Sequence, residues 1–180
     1  MKFEDKGITA THFRNQVALI KRFILSSLLI FPAASCLAQE TIDLVKVDKS
    51  ARTLSITSRG KEVAKFHVVL GGSPVGHKHR EGDERTPEGR YVLDQRNATS
   101  RFFRSLHVSY PNEVDKERAR AAGLNPGGDI MIHGQKNGLG WLSRLSQRRD
   151  WTDGCIALSN KDMQVVWDRV RVPTPIEISP

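Results

Sequence analysis

The sequence predicts a mainly β fold, a compact sandwich of mixed sheets with two short helices. Three features carry that expectation. Short apolar runs alternate with polar residues, clusters of Gly, Pro, Asn and Asp separate them, and only two stretches have helical spacing. The physical basis is simple: a strand points successive side chains to opposite faces, whereas a helix returns to one face every three or four residues.

The elements follow in order. Residues 42–44 and 45–47 open the domain, and Asp48-Lys49-Ser50 turns the chain into 52–57, where Leu54 and Ile56 alternate with polar neighbours. After the Ser58-Arg59-Gly60-Lys61 turn, residues 62–70 place Ala64, Phe66, Val68 and Leu70 on one face. Gly71-Gly72-Ser73-Pro74 ends that strand. Residues 76–90 hold three Gly, a Pro and many charges, which predicts a long structured loop. Strands are expected at 91–93 and 106–110, and a polar helix between Pro111 and Gly123. Asn125-Pro126-Gly127-Gly128 turns into a strand at 130–132. The segment 134–149 is a basic loop with Trp141 and one helical turn near 142–145. Ser159-Asn160-Lys161-Asp162 has the form of a capping box, and Met163, Val166, Trp167 and Val170 fall on one helical face. Pro173 and Pro175 stop this helix, and 176–178 is expected as an edge strand. There is no internal repeat.

The N-terminus reads as an export signal. Lys21-Arg22 precedes an apolar stretch, 23–31, and then small uncharged residues to Ala38, after which cleavage is expected. The uncharged stretch is short for a membrane span, so the membrane would be touched only through an uncleaved signal. The expected organisation is thus a signal peptide at 1–38 and one domain at 39–180, long enough to bury its own core. Removing 1–38 takes away five basic and two acidic side chains, so the formal charge falls from +8 to +5. A mildly basic exported domain suits acidic envelope polymers or solubility alone, and export excludes nucleic acid as a partner. Cys36 leaves with the signal. Cys155 is then the only thiol, without an intrachain disulfide partner.

Cys155 follows Gly154 and precedes a short apolar run, the setting in which a turn at a strand edge presents a nucleophile. A thiol needs a base to ionise at neutral pH, and His133 is the best-placed imidazole, ending the run Ile130-Met131-Ile132 just before Gly134. The structural alternative for Cys155 is a buried core cysteine. Backbone N–H groups around Gly154 and Cys155 are candidate oxyanion donors. The His77-Lys78-His79 segment, followed by Glu81, Asp83 and Glu84, has no metal-ligand spacing and reads as a polar loop. Gly71-Gly72 and Gly76 precede a loop rather than a helix, which excludes a dinucleotide site. No metal and no cofactor are expected.

The combination His133-Gly134 with Thr152, Gly154-Cys155-Ile156 and Leu158 resembles the L,D-transpeptidase family with the YkuD-type catalytic domain. The resemblance extends to Gly71-Gly72-Ser73-Pro74-Val75-Gly76 and to the run from Gly82 through Thr86-Pro87-Glu88-Gly89. It implies that fold, and a periplasmic enzyme of peptidoglycan cross-linking. It implies Cys155 as nucleophile attacking a tetrapeptide stem, His133 as base, and a backbone carbonyl orienting the imidazole. Asp153 and Asp129 are alternatives by residue type. Gly134, Trp151, Thr152 and Asp153 would contact substrate, and Gly154 would support the oxyanion or the turn. The acceptor is an amine, on a second stem or on a lipoprotein. Hydrolysis by an L,D-carboxypeptidase or amidase on the same scaffold is the alternative, and a catalytically silent peptidoglycan-binding module is the third reading. One departure stands out: the family motif has Arg two residues after the Cys, where this chain has Ala157. Arg101, Arg104, Arg148 and Arg149 are the candidates to hold a stem carboxylate instead, and Trp141 and Trp151 to line the cleft.

Overall fold

The computed structural model describes residues 40–180. The expected export signal, its cleavage point and Cys36 lie outside the described residues. Eight strands form one mixed, curled sheet: β1 (Leu44–Asp48), β2 (Thr53–Ser58), β3 (Lys61–His67), β4 (Gly89–Asn97), β5 (Ser105–Val108), β6 (Met131–His133), β7 (Ile156–Ala157) and β8 (Thr174–Ser179). Their spatial order is β3-β2-β1-β8-β4-β5-β6-β7. The chain leaving β3 bridges to β7 through Val69 and Ala157, with the Val69 and Ala157 amides donating to each other's carbonyls at 2.9 and 2.8 Å. The two ends of the sheet therefore meet, so the mainly β architecture is one sheet wrapped around a common core. That core runs from Val45, Leu54 and Ile56 through Leu93 and Leu106 to Ile132 and Ile156, all buried.

Among the described residues three helices accompany the sheet: α1 (Glu113–Ala121), α2 (Ser143–Ser146) and α3 (Asn160–Arg169). Asn112 caps α1: its side chain accepts from the Asp115 amide, and the Asp115 carboxylate accepts from the Asn112 amide. The same carboxylate accepts from Tyr91 Oη at 3.0 Å, which ties α1 to β4. Ser159 caps α3 through the Asp162 amide, and Met163 and Val166 on its apolar face are fully buried, as is Val170 just past its end. α2 is the single turn expected near 142–145, preceded by a 3₁₀ turn at Gly140–Leu142.

The last strand is not at the edge. β8 lies between β1, which it pairs in parallel, and β4, which it pairs antiparallel. Pro175, which has no N–H to give a ladder, lies within this strand. It is accommodated because the β1 ladder begins only at Ile176, so Pro175 precedes the two-sided part of the strand.

Candidate active site

His133 ends β6, and its backbone is locked between β5 and β7. Ser105 lies opposite it on one side and Ala157 on the other. The imidazole is 4% exposed. Its Nδ1 lies 2.6 Å from the Gly134 carbonyl. An N–H at Nδ1 donating to that oxygen leaves Nε2 as the basic nitrogen. Phe102 covers the ring at a centroid distance of 4.4 Å, and Trp151 meets it edge-on at 6.0 Å. Gly134 has no room for a side chain, since a Cβ there would lie 2.7 Å from both the Phe103 carbonyl and Asn160 Oδ1.

Cys155 sits immediately before β7. Ile156 pairs with Ile132, so Cys155, Met131 and His133 share one face of the parallel β6–β7 pair. The turn that presents the thiol is held from several sides. Asp150 accepts from the Leu70 amide at 2.8 Å and pairs with Arg52 at 2.7 Å. Thr152 Oγ1 donates to the Cys155 carbonyl at 2.7 Å and accepts from the Gly154 amide at 3.2 Å. Gly154 has φ +116, and a Cβ on it would come within 2.5 Å of the Arg85 carbonyl. Only glycine gives both that backbone conformation and that clearance. Arg85 is carried by the long loop, whose neighbouring Thr86 accepts from the Gly71 amide. Buried Lys49 clamps the same loop through Glu88 and the carbonyls of Gly76 and Thr86.

Both titratable groups are pushed towards neutrality. Burial lowers the His133 value, against the Gly134 hydrogen bond, which raises it. Burial raises the Cys155 thiol, helped by the charges of Asp153 and Asp129, while the Met131 N–H, 3.4 Å from Sγ, pulls it down. The resting pair is a thiol beside a neutral imidazole.

Cys155 and His133 line one cavity of about 430 Å³, together with Trp151, Thr152 and Asp153. Gly134 does not line it; its carbonyl serves the imidazole. The Thr152 hydroxyl is turned to the Cys155 turn. Asp129 reaches the cavity and its backbone carbonyl lies 3.7 Å from Sγ, but the imidazole's partner is Gly134 rather than either aspartate. Trp141 is 78% exposed and outside the cavity. Of the four arginines only Arg101 lines it. Arg104 pairs with Asp168 and stacks over Trp167, while Arg148 and Arg149 border a separate depression beside Arg52. Ala157 is fully buried between His133 and Val69. Sequence reading missed Phe102 and Ser105. The β5–β6 register sets Ser105 opposite His133, and a bridge from Phe102 to Lys136 holds Phe102 at its ring; periodicity within one segment holds no trace of either. Among the described residues no group of three or more His, Cys, Asp or Glu could hold a metal ion.

A family model, the L,D-transpeptidase catalytic domain of the YkuD type, matches residues 42–178. The chain belongs to the L,D-transpeptidase family. It is 26% identical over 131 residues to YafK of Escherichia coli (strain K12), a candidate L,D-transpeptidase. That match covers 67% of this chain but 51% of YafK, so the chain spans about half the length of the curated relative. The solved structure of Pgp2, a helical cell shape determining protein of Campylobacter jejuni, superposes with a TM-score of 0.59 at 25% identity, over 78% of this chain and 48% of that one. An L,D-transpeptidase from Mycobacterium smegmatis shares the fold, with a TM-score of 0.51 at 16% identity, over 76% and 58% of the two chains. L,D-transpeptidases act on peptidoglycan peptides.

Proposed function

We propose that this L,D-transpeptidase homologue is a cysteine acyltransferase that works on peptidoglycan tetrapeptide stems and transfers the acyl group to an amine in cell-wall cross-linking or remodelling. The observation that carries the reading is the placement of Cys155 and His133. They share one face of adjacent parallel strands and one cavity, and Nε2 of the imidazole is left unengaged by the Gly134 bond.

In this reading His133 Nε2 takes the Cys155 proton as Sγ attacks the carbonyl of the third stem residue. The new S–C bond forms, the C–N bond to the terminal D-alanine breaks, and the proton on His133 passes to that leaving amine. The acceptor amine then attacks the thioester and gives its proton to His133. The thiol leaves and regains its own. Gly154 supports the turn, since its amide is occupied by Thr152 Oγ1. The amide of Cys155 itself is the oxyanion donor we assign. Trp151 and Asp153 border the bound stem.

Residues 1–38 would export the chain, leaving 39–180 to act in the periplasm. Among the described residues no helix is long and apolar enough to cross a membrane. Remodelling of this kind would bear on cell shape, the role named for Pgp2. The deciding experiment is incubation with purified muropeptides and mass analysis of the products, with Cys155→Ala as control. A cross-linked dimer that disappears in the variant supports transfer to an amine. A trimmed stem, or a stem freed from lipoprotein, as the only product replaces the transferase with a hydrolase. Products that persist in the variant remove Cys155 from the mechanism.

A further inference from the structure

The cavity beside Cys155 is electrically lopsided. Asp129 and Asp153 lie at the thiol, close enough that both raise it, and among the described residues neither has an ion-pair partner. The chain between β4 and β5 supplies the other lining, and there the charge is Arg101. Most cationic groups at comparable positions are already engaged: Arg104 with Asp168, Arg52 with Asp150, Arg118 with Asp115. Among the described residues the Arg101 guanidinium has no carboxylate or carbonyl partner.

Its backbone is nevertheless fixed. The Arg101 carbonyl accepts from the Asn137 amide at 3.0 Å. Two residues on, Phe103 exchanges backbone bonds with Gln135 and Gly134 at 2.8 and 2.9 Å. Next in the same wall is Ser105, 3% exposed, facing His133 across the β5–β6 ladder and lining the cavity. Its hydroxyl has no hydrogen-bond partner among the described residues. The Ser105 hydroxyl, open to the cavity, is free to donate to a polar group bound there.

We propose that Arg101 and Ser105 form a carboxylate subsite of this cavity, which orients the anionic part of a stem peptide and stands in for the arginine that the family motif places at the position of Ala157. The planar guanidinium fork suits a carboxylate, and the Ser105 hydroxyl adds a short-range donor beside His133. The two aspartates do the complementary work. They repel an anion from the thiol end, so a bound peptide has one favourable direction rather than two. A stem tetrapeptide carries carboxylates at its C-terminus and on the side chain of a diamino-dicarboxylic third residue, and either meets the chemistry of the subsite. The choice of a stem as ligand rests on the function proposed above; the subsite itself needs only binding.

The test uses the full chain carrying Cys155→Ala, so that binding is read without turnover. Titration calorimetry compares the free-acid stem tetrapeptide with two neutralised forms, one amidated at the C-terminus and one amidated at the third-residue side chain. One amide should bind about 10- to 100-fold more weakly than the free acid, as expected for losing a charge-assisted contact, and which one does so identifies the carboxylate. Adding Arg101→Gln should cost the free acid a similar factor and abolish the discrimination. Arg101→Lys should recover part of the loss, and Ser105→Ala should weaken the acid several-fold. Arg101 is exposed, so its replacement leaves the fold intact, which circular dichroism checks. The proposal is overturned if Arg101→Gln binds the free acid as tightly as its parent, if both amides bind like the acid, or if the acid does not bind. Turnover of muropeptides by the unaltered chain is read separately. Discrimination without turnover upholds the subsite and sinks the acyltransferase, whereas turnover with no effect of Arg101→Gln does the reverse.

Discussion

The imidazole of His133 has one nitrogen on the Gly134 carbonyl and an aromatic ring against its face, so its tautomer and its orientation are fixed by groups that carry no charge. Removing it should therefore remove a base rather than a charge. His133→Gln is expected to slow acylation by at least about 100-fold, and Cys155→Ala to abolish it, both measured as product formed from muropeptides. The direction of the two shifts makes a further statement about pH. His133 is lowered from 6.5 and Cys155 is raised from 9.0, each chiefly by burial. The base is in its active form above its own depressed value, and the thiol keeps its proton until its raised one. The kcat/KM profile should thus stay level between 6.5 and 9.0, with the acid limb below and the alkaline limb above, both belonging to the coupled pair. An alkaline limb well below 9.0 would mean that the resting state is a thiolate–imidazolium pair instead.

At the scale of the element, the turn before β7 is where sequence and function meet most tightly. Gly154→Ala forces a Cβ towards the Arg85 carbonyl in a backbone conformation that L-residues rarely adopt. A cost of about 1–3 kcal/mol is expected, read as a lower denaturant midpoint, with turnover lost because the turn moves with it. Thr152→Val keeps the shape but loses both hydroxyl bonds. It should lower kcat while Thr152→Ser largely restores it, a contrast that pure packing would not produce. The tight turn was legible because its geometry is local, a Gly directly before Cys155, whereas Thr152, expected against substrate, has its hydroxyl on the turn backbone. The helix after Ser159 was legible for the same reason, with Ser159 as its cap, whereas the Asn112 cap of α1 went unread. The position of β8 was not legible, because its pairing partners lie more than 80 residues away in sequence. Phe102 and Ser105 were opaque as site residues in the same way, and Arg101 stood among four candidate arginines with nothing to single it out. Their segment has no distinctive pattern, and only the β5–β6 register and the Phe102–Lys136 bridge set it beside His133. The clamp by Lys49 on the long loop belongs with them, since a lysine in a turn reads as exposed and this one is 2% exposed.

For the molecule as a whole, the burial of His133 and His77 has a measurable consequence in acid. Phe102 and Trp151 pack on His133, and the long loop, set against α1 through Asp115, buries His77, whose value is likewise lowered, chiefly by burial. A histidine depressed in the folded state takes up its proton more readily in the unfolded chain. Below 6.5 the unfolded state therefore binds more protons, and stability falls as the pH drops from 6.5 through the folded values. Asp83 acts later. It is lowered from 3.8 to about 2 by its bonds from Lys78 and from the amides of His79, Arg80 and Arg85, which outweigh burial. Its contribution is present above 3.8 and is lost as the pH falls towards 2. Two separate losses should appear in urea unfolding midpoints taken across the acid range, one starting near 6.5 and one below 3.8. His133→Gln should reduce the first to the part carried by His77 and leave the second, whereas Asp83→Asn should lower stability at neutral pH and reduce the second. A midpoint that holds constant from pH 7 down to 5 would show that the folded protein protonates both imidazoles freely. His133 would then not be the buried neutral base on which the acyl-transfer reading depends.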